Sequence, residues 1–329
     1  MALPLSQVTL RPYPRQVDTF VPIVGQPNRR PMPMGTTISR HLGRLTGTLQ
    51  ISVAAATSLI PDQPYSLIRD LQILLNAGYP LRSHPMRFQQ FWNQYQGMTL
   101  KRSTPISSTA IGTYNFAAEF ELPYSQMDLF GLQHYFVLDT RMYTGLDVLY
   151  QVGDATDLVV PGGATTTLTN LQIQVIEESI ANLGGFASRS EIRRIPLPVT
   201  AVGPFVYTGL PAMGPIYRAI VLHTVSGNTD PLRGTNDDTI ITDVTLRAGS
   251  VLQFERMPWE QLRSQNKAVA NLETLQSGWA VIDFADTHNL TKLLRTRDVR
   301  QLSLELTIGA VPANAFLEIY PVAMQLLVG

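Results

Sequence analysis

The feature that most limits what this chain can fold into is that it repeats itself. "LDTRMYTGLDVLYQVG" (138–153) and "LRTRDVRQLSLELTIG" (294–309) superpose without a gap. Leu138, Thr140, Arg141, Leu146 and Gly153 meet Leu294, Thr296, Arg297, Leu302 and Gly309. Between them Val148, Tyr150 and Val152 meet Leu304, Leu306 and Ile308. The period of two in a half-buried strand forces such apolar matches by itself. It does not force the shared Thr-Arg pair, which points to a duplicated unit.

Other pairs keep the same order. "IRDLQILLNAG" (68–78) and "ITDVTLRAG" (241–249) align Ile68 with Ile241 and Asp70 with Asp243, and Pro85 meets Pro258 at the same offset. "SRHLGRL" (39–45) resembles "SRSEIRRI" (188–195), and "AAEFEL" and "VIDFAD" form a fainter pair through Phe120 and Phe284. Each half then reads Ser-Arg strand, Asp strand, Pro-led helix, aromatic strand, Thr-Arg strand. A chain of 329 residues is long enough for two such units.

Short strands separated by turns dominate. "FAAEFEL" alternates through Phe116, Ala118, Phe120 and Leu122, and "TTTLTNLQIQVIEE" through Leu171, Ile173 and Val175. The second half adds "YRAIVLHTV", "LSLELTIG" and "FLEIYPVAMQLLV". Many short strands at this spacing predict sandwiches or barrels. Two helices are expected, each led by a proline: one with Phe88, Phe91, Trp92 and Tyr95 as its stripe, the other with Trp259 and Leu262. The expected fold is all-β, two tandem eight-stranded jelly-roll sandwiches with a few short helices. The first spans 37–185 and the second 186–329.

Residues 1–36 read differently. The stretch "LRPYPRQVDTFVPIVGQPNRRPMPMG" carries repeated Pro and sets Arg11, Arg15, Arg29 and Arg30 against one acid, Asp18. It has neither helical nor strand periodicity, and proline removes ladder donors. It is expected to be an extended arm lying on its own body or on a neighbour.

Bulk properties narrow the function. With 25 Lys and Arg against 25 Asp and Glu, the chain has no basic excess for neutralising phosphates, so no sequence-specific nucleic-acid partner is expected. Without cysteine there are no disulfides, thiolate metal sites or cysteine nucleophiles. No charged and apolar leader is visible at the N-terminus, and no apolar run approaches the roughly 18 residues that cross a bilayer. A soluble or assembled protein is expected.

Catalytic patterns do not form. His41, His84, His134, His223 and His288 are isolated, without the close spacing of metal ligands, so neither a metal nor any other cofactor is expected. No nucleophile elbow, Walker or dinucleotide-binding glycine pattern occurs. Glu119 with Glu121, and Glu177 with Glu178, are the candidate carboxylate pairs, and alternation places Glu119 and Glu121 on the solvent face. The repeated polar residues suggest a structural use instead, Asp70 pairing with Arg141 and Asp243 with Arg297.

Taken together, the short arm, the two consecutive sandwiches, "LIRDLQILLNAGYPLRS" running into an aromatic helix, and "STPISSTAIGTYNFAAEFELPYS" resemble the double jelly-roll major capsid proteins of tailless icosahedral viruses. The likeness is strongest to the phages that enclose a membrane, the tectivirus and corticovirus lineage, and it spans most of 37–329. It implies a non-enzymatic virion subunit, assembled in the host cytoplasm, whose homotrimers have a pseudo-hexagonal outline and tile an icosahedron. Implied partners are the chain's own trimer mates and neighbouring capsomers, minor and vertex proteins, and an internal lipid membrane. The Arg-rich arm would then meet anionic headgroups or acidic patches on neighbours. Two other readings stay open: a two-sandwich carbohydrate-active or amidase-type enzyme, and a receptor-binding module with an aromatic sugar platform.

Overall fold

The computed structural model describes residues 13–76, 78–98, 103–124, 138–180, 186–210, 216–249, 251–285, 293–296 and 299–328. The first sandwich comprises β1 (Tyr13–Phe20), β2 (Pro27–Pro31), β3 (Thr37–Ser52), β4 (Ile68–Leu75), β5 (Tyr79–His84), helix α1 (Met86–Tyr95), β6 (Gly112–Pro123), β7 (Leu146–Val152) and β8 (Thr165–Ile180). One sheet runs β1-β8-β3-β6 and the other β2-β7-β4-β5, every neighbour antiparallel. Consecutive strands alternate between the sheets, except that β4 and β5 form a hairpin within one of them, which is the jelly-roll path.

The second sandwich repeats that path. Its elements are β9 (Phe186–Arg193), β10 (Gly203–Leu210), β11 (Ile216–Ser226), β12 (Ile241–Ala248), β13 (Val251–Pro258), α2 (Trp259–Val269), β14 (Trp279–Asp283), β15 (Leu302–Ile308) and β16 (Phe316–Val328). The sheets are β9-β16-β11-β14 and β10-β15-β12-β13, strand for strand the order of the first. The chain is therefore a double jelly roll. A shift of 173 residues carries β1 onto β9 and β4 onto β12 end to end, and takes Pro85 to Pro258.

Sequence and packing agree most closely where strands alternate. Phe116, Ala118, Phe120 and Leu122 of β6 point into the first core with Leu45, Leu49, Ile173 and Val175. Facing Phe120 and Phe116 across the ladder are Gly43 and Gly47 of β3. A Cβ on Gly43 would lie 2.0 Å from the Phe120 ring, and one on Gly47 2.5 Å from Phe116, so these glycines make room for the rings. Both helices begin just after their proline: Pro85 and Pro258 are the N-cap residues.

Three expectations need correction. The stretch read as an arm supplies two strands of the first sandwich from Tyr13 onward: β1 pairs with β8 and β2 with β7. Both are sheet-edge strands, where a proline's missing N–H disrupts no ladder. The Ser-Arg match joins unlike strands, since Ser39 and Arg40 lie in β3, whose counterpart is β11, whereas Ser188 and Arg189 lie in β9. Glu121 is buried rather than solvent-facing, with Arg40 on its carboxylate at 2.7 Å.

Candidate functional site: the seam between the sandwiches

Two short backbone runs join the sandwiches edge to edge. Ile192 and Arg193 of β9 pair in parallel with Arg82 and Ser83 of β5, and the Arg194 N–H donates to the Ser83 carbonyl at 3.0 Å. The β2-β7-β4-β5 sheet thus continues into β9-β16-β11-β14.

Helix α1 is laid across the outer face of that second sheet. Phe88 stacks on Tyr320 with centroids 4.2 Å apart, and Phe91 on Trp279 at 4.4 Å. Trp92, Tyr95, Ile192, Ala219, Val221, Val281 and Val322 complete a buried cluster separate from both sandwich cores. Strands β11 and β16 are consequently buried on both faces, which explains why "YRAIVLHTV" reads as a nearly continuous apolar run.

Beneath the aromatic layer lies a charged centre. Glu318, fully buried on β16, accepts from Arg87 at 2.6 Å, Arg194 at 2.7 Å, His223 Nδ1 at 2.7 Å and the Tyr320 hydroxyl at 3.0 Å. Burial opposes its charge. The guanidinium of Arg87, the His223 bond and Arg194 outweigh burial and hold the carboxyl well below the usual carboxylate range. Burial, with Arg87 nearby, pushes the His223 imidazole down and favours its neutral form. Arg87 also donates to the carbonyls of Pro231 and Leu232, so a first-sandwich side chain is anchored at three places in the second.

A second bridge sits nearer the surface. Arg69 binds Asp157 at 2.7 Å and also reaches Asp230, and Arg233 binds Asp157 at 2.8 Å, so acids and arginines of both sandwiches interleave. Tyr95 donates to Asp283 at 3.1 Å, and Arg218 pairs with the same carboxylate at 2.7 Å. What this arrangement can do is fix the orientation of one sandwich on the other.

The residues singled out in the sequence fall elsewhere. Arg15 pairs with Glu177 at 3.1 Å and Arg29 with Asp147 at 2.6 Å. Arg30 pairs with Asp18 at 3.4 Å and lies over the Phe20 ring. Arg11 and Arg297 lie outside the described residues. The expected Asp70–Arg141 contact is replaced by others. Asp70 accepts from Gln72 and Ser83, and Arg141 makes a two-pronged contact with Asp139. Asp70 faces Gln151 in the β4–β7 ladder, while Arg141 precedes Leu146 at the ladder's other end. In the second half Asp243 is held by Arg256 at 2.9 Å.

What repeats in the Thr-Arg pair is the threonine, because Thr140 and Thr296 are both fully buried. The sequence reading also missed Asn93 and Asn266, which stand 173 residues apart like the prolines. Asn93 Nδ2 donates to the Glu121 carbonyl of β6, and Asn266 Nδ2 to the Val281 carbonyl of β14, each tying a helix to the equivalent strand. The constant offset was the available signal.

His41, Tyr124 and Glu177 form a buried group within the first sandwich, with the Tyr124 hydroxyl 2.9 Å from His41 Nδ1. Among the described residues no group of three or more His, Cys, Asp or Glu is placed to hold a metal.

No family model matches the chain, and no curated protein matches it by sequence. Solved structures match its fold from end to end. The major capsid protein of Sulfolobus turreted icosahedral virus superposes with a TM-score of 0.71 at 16% identity, covering 95% of this chain and 96% of that one. The major capsid protein of bacteriophage PM2 gives a TM-score of 0.62 at 12% identity, over 96% and 98%. The PBCV-1 virus capsid protein gives 0.64 at 10% identity, over 99% and 95%. The fold is the double jelly roll of these proteins.

Proposed function

We propose that this chain is the structural subunit of an icosahedral virion, a major capsid protein that performs no catalysis. The observation that carries the reading is the seam. A buried aromatic and ionic interface locks two alike sandwiches side by side, in a chain that superposes over 95–96% of its length on capsid proteins. A shell tile needs such a rigid double unit, because any play between its halves would be passed to every neighbour. The reading counts residues 13–31 with the first sandwich and divides the chain near 181–185.

The partners follow from this reading. Copies of the chain form homotrimers, in which six sandwiches give a pseudo-hexagonal outline, and trimers meet one another and the minor and vertex proteins in the virion. Assembly takes place in the host cytoplasm, over an internal membrane. The guanidinium groups of Arg15, Arg29 and Arg30 rest on acids of the first sandwich and stay partly exposed, so they remain open to anionic headgroups or neighbouring copies.

The attachment-module reading loses its main support, since Trp92, Trp259 and Trp279 are all buried and offer no sugar platform. Light scattering and electron microscopy of the purified chain test the proposal. The expected result is one species of three times the 36.4 kDa chain mass, imaged as six-lobed plates. A stable monomer that hydrolyses glycosides or amides would overturn it.

A further inference from the structure

A cleft of about 400 Å³ opens at the seam, walled by the segment before β4, by α1 and by the loop after α2. Junctions between packed units are where small-molecule sites tend to form, and this volume lies within their roughly 300–1,000 Å³ range. Among the described residues that line it, Leu275 is the one aliphatic side chain, so the walls are polar.

The walls are held from behind. Gln63 binds the backbone of Ile106 twice, donating to its carbonyl at 2.8 Å and accepting from its N–H at 2.8 Å. The Tyr65 hydroxyl donates to the Glu119 carbonyl at 2.9 Å. On the side of the second sandwich, Arg263 donates to the carbonyls of Leu275 at 3.2 Å and Gln276 at 3.3 Å, which fixes the loop after α2. Arg87, 4% exposed, has both terminal nitrogens on acceptors of the second sandwich.

What these residues leave unused defines the ligand. Arg87 Nε, a donor, and Asp62 Oδ2, an acceptor, are buried in the cleft walls without a hydrogen-bond partner. Buried polar atoms are seldom left unpaired, because each forfeits its bond to water. Gln276 donates to the other oxygen of Asp62 and leaves Oδ2 vacant. Gln90 and Gln94 share one face of α1, are partly exposed, and have amides without a partner among the described residues.

Charge separates ions from neutral molecules. Asp62 and Glu318 bring two negative charges, and Arg87 and Arg194 two positive ones, so the ionised groups at and behind the cleft sum to zero. A bound ion of either sign would stand unbalanced. A hydroxyl both donates and accepts, so neighbouring hydroxyls can serve Asp62 and Arg87 together.

We infer that the cleft binds a neutral polyhydroxyl ligand, a saccharide of one or two units. Its hydroxyls donate to Asp62 Oδ2 and accept from Arg87 Nε, and the amides of Gln90 and Gln94 take the others. Recognition is by hydrogen bonds, since the tryptophan rings are buried elsewhere. The ligand touches both sandwiches, so binding fastens the seam. The site lies within one chain and stands independently of the shell reading.

The test titrates the full-length chain with glucose, galactose, mannose and N-acetylglucosamine, followed by saturation-transfer NMR and thermal unfolding. The amine and carboxylate forms of the same sugars serve as charged probes. The expected result is saturable binding of at least one neutral sugar, weaker binding of its charged forms, and a melting temperature that rises with sugar concentration. Gln90→Ala and Gln94→Ala remove groups that bond nothing in the free chain. Each should keep the parent's melting temperature without sugar and weaken binding about tenfold. Asn115→Ala, on the outer sheet of the first sandwich, should leave binding unchanged. No saturable binding of any of the four sugars overturns the site. So does binding that survives both glutamine variants, or that is tighter for a charged form.

Discussion

At the scale of single residues, Glu318 balances two arginines in a place that water does not reach. Removing one member of such a group leaves the others charged and uncompensated, which costs about 3–5 kcal/mol. Glu318→Gln should therefore lower stability by that amount at pH 7, read by denaturant unfolding. Because the folded carboxyl titrates below its ordinary 4.5, its contribution is complete above that pH and is lost as the pH falls through the depressed value. The gap between variant and parent should accordingly narrow on acidification below pH 4.5. A gap that stays constant down to pH 3 would contradict this account of the charge. Nothing in "FLEIYPV" announces the group. A lone acid between apolar residues reads as the wet face of a strand, and only α1, more than two hundred residues earlier, turns that face into an interior.

At the scale of elements, the pairing of Gly43 with Phe120 is a local fit that a single methyl would spoil. Gly43→Ala should cost about 1–3 kcal/mol by overpacking. Gly25, on the turn before β2 with nothing within 4 Å of its Cβ position, shows the contrast. Its φ of +73° makes substitution there a matter of backbone conformation and not of space. A calorimetric comparison of Gly43→Ala with the parent gives the readout, and an unchanged melting temperature would reject the packing argument.

Elements were legible in the sequence wherever burial was one-sided. The alternation of Phe116 to Leu122, the repeated Leu146 and Leu302 strands and both Pro-led helices lie where the pattern put them. β1 and β2 were not legible, because Pro14, Pro27 and Pro31 mask strands that need donors on one side only. The Asp70–Arg141 pairing misled for a related reason: the two were matched by their order in the chain, and Arg141 precedes the end of the ladder far from Asp70, since order carries no distance. The seam itself had two visible traces, the aromatic stripe of α1 and the two-face burial of β11, but its polar members gave none.

At the scale of the molecule, the seam makes two sandwiches into one body, and its aromatic layer is a buried cluster separate from either core. Phe91, 2% exposed and stacked on Trp279, is the residue to remove. Phe91→Ala should cost about 3–5 kcal/mol. It should also split a single calorimetric transition into two, since each sandwich keeps its own core when the interface weakens. One transition, merely shifted, would mean that the sandwiches depend on each other through the shared sheet and not through the helix.

The pairing of β1 with β8 has a further consequence for how the chain is made. Arg15 meets Glu177 across 162 residues, so a ribosome must deliver half the polypeptide before the first strand finds its mate. Until then β8 is missing between β1 and β3, and both present bare edges to whatever else the cell is translating. Polysomes crowded with identical nascent chains would be the hazard. Pro14, which helped to hide β1 from the pattern, also makes it a poor template for another strand, which suits a segment that has to wait.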